Sequence, residues 1–480
     1  MSSVETGRIT TDIPMRLDRL PWARWHWMVV IGLGTVWILD GLEVTIVGSM
    51  SDALKPNDTG LGMSSFDIGF AGAAYVAGAC VGALFFGQLT DRFGRKKLFL
   101  LTLGVYTVAT VATAFAPNPT WYFIARFFTG TGIGGEYAAI NSAIDELIPA
   151  AYRGRVDVAI NGSFWLGAAG GSLLTIPLLD PNVIDASWGW RLAFGLGGIL
   201  AVGILVVRRH VPESPRWLFI HGREDEAEEI VRSIEQEVEH ETGKRLSEPH
   251  DTITVRQRHS IGIGLIARTV FTLYPRRTVL CFSLFVGQAF LYNAFFFTYG
   301  DTMSEFFGVK QTGWYLAIFA ACNFAGALLL SPLFDSLGRV KMITGTYVLS
   351  GVLLAVAGMS LDSLSATTLT VFGAVIFFFA SAGASAAYLT ASEIFPMETR
   401  ALCIAFFYAI GTAAGGIAGP LLFGWLIDKG VGESDITVIA IGYYIGAALM
   451  IAGGLVEAAL GVKAEGQSLE SIAQPLTVES

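Results

Sequence analysis

Long apolar stretches alternate with short polar connections along almost the whole chain. A helix needs roughly 20 apolar residues to cross about 30 Å of hydrocarbon. Twelve such windows occur, numbered here as spans 1 to 12: 25–50, 66–89, 98–116, 121–147, 156–179, 189–208, 278–300, 312–334, 342–360, 367–392, 401–427 and 437–461. Six fall on each side of a polar insert, 209–277. The pattern therefore predicts an all-α membrane protein, with twelve transmembrane helices in two pseudo-symmetric six-helix bundles, 24–208 and 278–461, around a central cavity. Residues 1–23 and 462–480 are short polar ends. Within the insert, Ala227, Ile230, Val231, Ile234 and Val238 recur at helical spacing among many acids, which predicts a solvated amphipathic helix.

The two bundles share motifs as well as a count. Gly87-Gln-Leu-Thr-Asp91-Arg92-Phe-Gly94-Arg95-Lys-Lys97 returns in weaker form as Ser331-Pro-Leu-Phe-Asp335-Ser-Leu-Gly338-Arg339-Val-Lys341, an offset of 244 residues from Asp91 to Asp335. Glu146 followed by Arg153 returns as Glu393 followed by Arg400, an offset of 247 residues between the two acids. Two motifs at nearly one offset imply a duplicated half. In a chain that is mostly membrane, two similar halves predict a solute site between them and transport by rocking one half against the other.

Composition agrees, with 53% hydrophobic residues, a mean hydropathy of +0.57 and 15% charged residues, against about 25% in soluble proteins. Short loops retain Lys and Arg on the cytoplasmic side. Arg92, Arg95, Lys96 and Lys97 follow span 2, Arg153 and Arg155 follow span 4, Arg339 and Lys341 follow span 8, and Arg400 follows span 10. The other side has Lys55, Lys310, Lys429 and little else. This predicts a multi-pass protein of the plasma (inner) membrane with both termini cytoplasmic. The residues before Trp22 contain no apolar core, so no cleavable signal peptide is expected. The net charge of −9 sits in loops such as the 224–241 run and indicates no nucleic-acid partner. The expected partners are the lipid bilayer, protons and a small-molecule substrate, with the monomer as the working unit.

Cys80, Cys281, Cys322 and Cys403 have no CxxC spacing or neighbouring His and read as packing residues. No disulfide, metal or other cofactor is predicted. The six histidines lie in the first interface or the insert, so a proton relay inside the membrane must use carboxylates. Such charges cost several kcal/mol unless paired or facing water, which makes their positions informative. Span 1 holds Asp40 and Glu43, three residues apart and on one helical face, and span 4 holds Arg126 and Glu136. Two acids and a guanidinium form a site that can gain and lose a proton as a cavity opens.

Gly130, Gly132, Gly134 and Gly135 of span 4 permit close helix approach. They lie in an apolar span with no following Lys-Ser or Lys-Thr, which excludes a phosphate loop. No catalytic constellation converges elsewhere, so an enzyme is not expected. With no nucleotide site, the energy must come from a solute or ion gradient.

Taken together, the 87–97 loop, Arg126 to Glu136, Glu146 to Arg155, the Pro212-Glu213-Ser214-Pro215-Arg216-Trp217-Leu218 segment, the 331–341 loop and Glu393 to Arg400 resemble the major facilitator superfamily, closest to its sugar porter branch. The tail Glu465-Gly466-Gln-Ser-Leu469-Glu470 is similar to the end of that branch's C-terminal signature. The resemblance covers nearly the whole chain. It implies a cytoplasmic gate built from Asp91, Arg92, Gly94, Arg95, Glu146, Arg153, Asp335, Gly338, Arg339, Glu393 and Arg400. It also implies that Glu43 faces Arg126 in proton coupling. The Asp40-Gly41-Leu42-Glu43 pattern is in addition similar to that of the superfamily's acid/proton symporters.

For solute selection, Gln288 and Asn293 resemble the sugar porter span 7, and Asn161, Trp165, Tyr292, Asn323 and Tyr388 complete a candidate cavity of amides, phenols and an indole, suited to hydroxyls or a carboxylate. Departures from the sugar pattern occur at Asn161, Gly287 and Ala387-Tyr388. A sugar or polyol and an organic or aromatic carboxylate therefore both remain open as substrates. Two other readings stand beside proton symport. One is an uncoupled facilitator with a static Glu43–Arg126 pair, and the other is a non-transporting solute sensor signalling through the insert.

Overall fold

In hydrocarbon the backbone must satisfy its own hydrogen bonds, so each apolar window has to be helical. The computed structural model describes residues 5–474 apart from 55, 64, 209–211, 244, 249–251, 259–263, 265–267, 310–312 and 397–398. Its spans 1 to 6 are helices Arg24–Ser49, Ser65–Phe93, Arg95–Ala114, Pro119–Leu147, the pair Arg153–Gly162 and Phe164–Leu178, and Ala186–Arg208. Spans 7 to 12 are Pro275–Phe307, Gly313–Ser336, Arg339–Met359, Ala366–Glu393, Arg400–Glu433 and Ala440–Leu460. Ten of the twelve pass a length and hydropathy test for crossing a membrane. The other two are span 4, which carries Arg126, Glu136 and Glu146, and span 5. The sequence predicts span 5 as one rod. The structure tightens it at Ser163, whose hydroxyl donates to the carbonyls of Ile160 (2.6 Å) and of Gly34 in span 1 (3.1 Å).

Glycines set which helices meet. A Cβ on Gly134 would lie 1.9 Å from the Ala79 carbonyl oxygen, and one on Gly78 would lie 2.0 Å from that of Phe127, so spans 2 and 4 touch backbone to backbone. Spans 1 and 5 meet in the same way at Gly41 and Gly167, and spans 8 and 10 at Gly326. Lipid supplies no hydrophobic drive between helices, and close van der Waals approach of this kind takes its place. The two halves meet along spans 2 and 11 and along spans 5 and 8. There Gly87 faces Ala405 and Gly162 faces Ala327, with no room for a side chain on either glycine.

Outside the spans the chain departs from the all-helical expectation. Glu5–Thr11 pairs antiparallel with Ile253–Arg258 of the insert, in a two-stranded ribbon. The expected amphipathic helix forms as Glu224–Thr242, but it is docked rather than solvated. Ala227, Val231, Ile234 and Val238 are buried, and its acids hold the N-terminal segment. Arg16 donates to Glu235 (2.6 and 3.0 Å) and Glu228 (2.7 Å), Arg19 donates to Glu235, and the Arg24 backbone N–H donates to Glu241 (2.7 Å).

Burial alone would push the Glu235 carboxyl up. The hydrogen bonds from Arg16 and Arg19 outweigh it and hold the group below the ordinary glutamate value. A depressed carboxylate stabilises its contacts above the unfolded value of about 4.3 and releases them as pH falls through the lowered one. Docking of helix Ile13–Asp18 is thus expected to be complete at neutral pH and to fail in acid. Glu235→Gln is expected to speed amide hydrogen exchange over residues 13–18 several-fold at pH 7. Unchanged exchange in the variant would show that the ion pairs do not hold the segment.

Candidate transport site

Span 1 carries Trp37, Asp40 and Glu43 at successive turns of one face, and each finds a partner in a different neighbour. Glu43 accepts from Arg126 of span 4 (2.6 Å) and from the Thr110 hydroxyl of span 3 (3.0 Å). The Arg126 guanidinium lies 4.5 Å over the Tyr75 ring and 5.8 Å from that of Phe194. Asp40 accepts from the Tyr75 hydroxyl (3.1 Å) and from the Tyr137 hydroxyl. Glu43, Arg126 and Asp40 are 1%, 2% and 4% exposed. One guanidinium stands against two carboxyl groups, and the Tyr75 and Tyr137 hydroxyls partner the one it does not pair.

Beside this cluster, between the halves, lies a cavity of about 170 Å³. Its first-half wall includes Trp37, Tyr75, Tyr137, Asn161 and Trp165, and its second-half wall Gln288, Tyr292, Asn293, Tyr388 and Tyr408. Six of the seven solute-site candidates thus line this one cavity. Asn323 does not, because it stands behind Tyr292, accepting from that phenol (2.8 Å) and donating to the Phe319 carbonyl (2.9 Å). Asn161 and Asn293 each donate to a carbonyl one turn back, those of Asp157 and Ala289.

Of the four coupling candidates, none is on the wall. Asp40 is one hydrogen bond behind it, Glu43 and Arg126 are paired deeper in the first half, and Glu136 is buried beside Tyr137 in the chain. Of the aromatic lining, sequence reasoning found Trp165, Tyr292 and Tyr388 and missed Trp37, Tyr75, Tyr137 and Tyr408. Trp37 stacks on Tyr137 (4.5 Å, 8°), and its indole N–H has no hydrogen-bond partner among the described residues. Rings also meet across the halves, Tyr137 with Tyr408 (4.7 Å) and Trp165 with Tyr292 (5.1 Å). The available signal was position, since aromatics of a membrane protein gather at the interfaces and these stand mid-span. Glu457 of span 12, 1% exposed, was also missed, although it is an acid within an apolar run.

The loop motifs assemble on the basic face. Gly94 and Gly338 take φ of 98° and 99°, a left-handed backbone open to glycine. Each is followed by an arginine paired to an acid, Arg95 to Glu146 (2.8 Å) and Arg339 to Glu393 (3.0 Å). Glu213 of the insert accepts from the Arg95 and Lys96 backbone N–H groups, as Glu465 of the tail does from that of Arg339. Asp335 binds Arg339 (2.7 Å) and crosses to the other half, accepting from the Arg155 backbone N–H (2.9 Å). Arg400 of the second half faces Glu146 of the first. Arg153 reaches Asp18 (3.1 Å). Arg92 is exposed, over the Phe93 ring, and the Asp91 side chain lies outside the described residues.

Residues 48–475 match the family model described as "Sugar (and other) transporter". The niacin transporter NiaP of Acinetobacter baylyi is 30% identical over 96% of this chain and 99% of its own. The 4-hydroxybenzoate transporter PcaK of Pseudomonas putida is 24% identical over 83% of this chain and 86% of its own. The fold matches that of the proton:xylose symporter XylE bound to 6-bromo-6-deoxy-D-glucose with a TM-score of 0.74, at 18% identity, over 93% of this chain and 98% of that one. The chain therefore belongs to the sugar transporter family of the major facilitator superfamily, as a multi-pass membrane transporter of small molecules and not an enzyme.

Proposed function

We propose that the protein is a proton symporter for a small organic carboxylate, with a single aromatic ring the best fit. It works by alternating access in the plasma (inner) membrane, as a monomer, with its basic face and both termini cytoplasmic. The observation that carries this reading is the position of Asp40, one tyrosine hydroxyl behind the wall of a cavity shared by the two halves. Drug-sized ligands occupy pockets of about 300–1,000 Å³, so a cavity of about 170 Å³ suits a one-ring solute. Its flat faces are indole and phenol rings, and its polar groups are neutral amides and hydroxyls.

Charge supports a carboxylate carried with a proton. Among the described wall residues there is no Lys or Arg to match an anion. An anion bound about 6 Å from an ionised Asp40 is repelled by roughly 3 kcal/mol at an effective dielectric of about 20, which is about two orders of magnitude in affinity. A proton on the acidic cluster removes that cost, so anion and proton bind best together. The relatives named as niacin and 4-hydroxybenzoate transporters support the same solute class. The paired basic-face loops support their role as the gate, closed here by Asp335 and Arg155 and by Arg400 and Glu146.

An uncoupled facilitator is the second reading, favoured by the direct, buried Glu43–Arg126 ion pair (2.6 Å). The sensor reading is weakened, since Glu228, Glu235 and Glu241 of the insert helix are engaged by Arg16, Arg19 and the Arg24 backbone of the same chain.

Glu43→Gln is expected to abolish accumulation of solute against a gradient in proteoliposomes while exchange at equal concentrations persists in part. Accumulation that survives the change would remove Glu43 from the coupling cluster. Asn293→Ala is expected to weaken solute binding about tenfold, read by tryptophan fluorescence with nicotinate, 4-hydroxybenzoate, glucose and inositol in turn, with the pH dependence of binding kept. An unchanged affinity would take span 7 out of the site.

A further inference from the structure

Tyr137 occupies a place that no other side chain shares among the described residues. Its hydroxyl donates to Asp40, and its ring lies flat on Trp37 of the same half. The other edge of the ring meets Tyr408 (4.7 Å) and Tyr388 (6.1 Å) of the second half, and the Tyr408 hydroxyl lies next to its own. We propose that Tyr137 is the positioning residue that carries the protonation state of Asp40 to the second half, and so ties proton binding to closure of the cavity. The inference rests on the proton-symport reading above.

The argument is one of hydrogen-bond capacity. An ionised carboxylate only accepts, and it accepts hydrogen bonds from both the Tyr75 and the Tyr137 hydroxyls. Hydrogen bonds to a charged acceptor are roughly twice as strong as neutral ones, so ionised Asp40 holds the Tyr137 phenol toward the first half. Adding one proton to Asp40 turns one of its oxygens into a donor and weakens that hold. The Tyr137 hydroxyl is then available to Tyr408 or to a solute carboxylate, both on the cavity side. When the proton leaves to the opposite side of the membrane, Asp40 recovers both donors and Tyr137 is drawn back. One proton enters and one leaves per cycle, and no other group is consumed.

Other groups near Asp40 do not serve in this way. Glu43 is on its own helix and bound to Arg126. Tyr75 of span 2 also faces Tyr408, which makes it the comparison below, and Tyr106 of span 3 faces Glu43 within the first half. Span 5 contributes Asp157, nearer the basic face. Tyr388 and Tyr408, of spans 10 and 11, face Asp40 from the second half, and Tyr137 is the side chain in ring contact with both.

Tyr137→Phe keeps the ring, its stacking and the cavity volume while removing the hydroxyl. Tyr75→Phe removes the other donor to Asp40 and is the comparison. Both would be reconstituted in proteoliposomes, with radiolabelled nicotinate as the probe and proton movement recorded alongside uptake. In Tyr137→Phe, accumulation driven by a pH gradient is expected to fall at least tenfold more than counterflow does, with fewer protons moved per nicotinate and a flatter pH dependence of binding. In Tyr75→Phe, accumulation and counterflow are expected to fall together and by less.

Wild-type coupling in Tyr137→Phe would overturn the inference and leave proton symport standing. An equal loss of coupling in both variants would also overturn it, because the hydrogen bonds of Asp40 rather than the bridge would then be responsible. Wild-type protein that takes up no nicotinate, or takes it up without moving protons, would contradict the proposed function itself and this inference with it.

Discussion

Ionisable groups buried in a low-dielectric layer must be paired, and the first half of this protein is organised around that need. Removing one partner of a buried ion pair typically costs about 3–5 kcal/mol, because the other charge is left stranded. Glu43 and Arg126 lie 2.6 Å apart on spans 1 and 4, so those helices must stay in register. Close backbone contacts seat each of them on a further neighbour, span 1 on span 5 at Gly41 and span 4 on span 2 at Gly78 and Gly134. Asp40 then has no cation of its own, and it is held by phenols from spans 2 and 4. Those phenols are also cavity wall, which places the Asp40 carboxyl one hydrogen bond behind it.

The same logic recurs on the basic face in both halves. Each half closes a tight turn at a left-handed glycine and pairs the next arginine with an acid at the end of a long helix. The insert and the tail each supply one acid to cap these turns, Glu213 and Glu465. Around them Asp18 of the N-terminal helix contacts Arg153 and Arg216 (3.1 Å each), and Arg216 lies 3.8 Å from Glu470 of the tail. Segments outside the bundles thereby join the two halves on one side of the membrane. The arginines of these pairs are buried, Arg95, Arg153, Arg216 and Arg339 being 0–4% exposed, so separating any pair strands a charge unless a new partner replaces the old one.

The sequence made the spans, the duplication and the loop motifs legible, because hydropathy over 20 residues and a repeated glycine–arginine–acid spacing depend on no side-chain direction. The Glu43–Arg126 pairing was legible only through family resemblance. What could not be read was which face each mid-span group presents. Asn323 has the same chemistry as Asn293, yet it points at Tyr292 rather than at the cavity. Tyr75, Tyr137 and Tyr408 are ordinary apolar-span residues in sequence, and their role follows from helix rotation. The ribbon between Glu5–Thr11 and Ile253–Arg258 pairs strands more than 240 residues apart, with no local pattern to announce it.

The central claim is that solute and proton cross together, and proton movement tests it most directly. Protein in liposomes, with no imposed gradient, is given nicotinate or 4-hydroxybenzoate outside while external pH is recorded. Symport predicts alkalinisation of the outer medium that is saturable in solute and absent from protein-free liposomes. Solute entry measured by tracer with no change in external pH would contradict the account and leave the facilitator in its place.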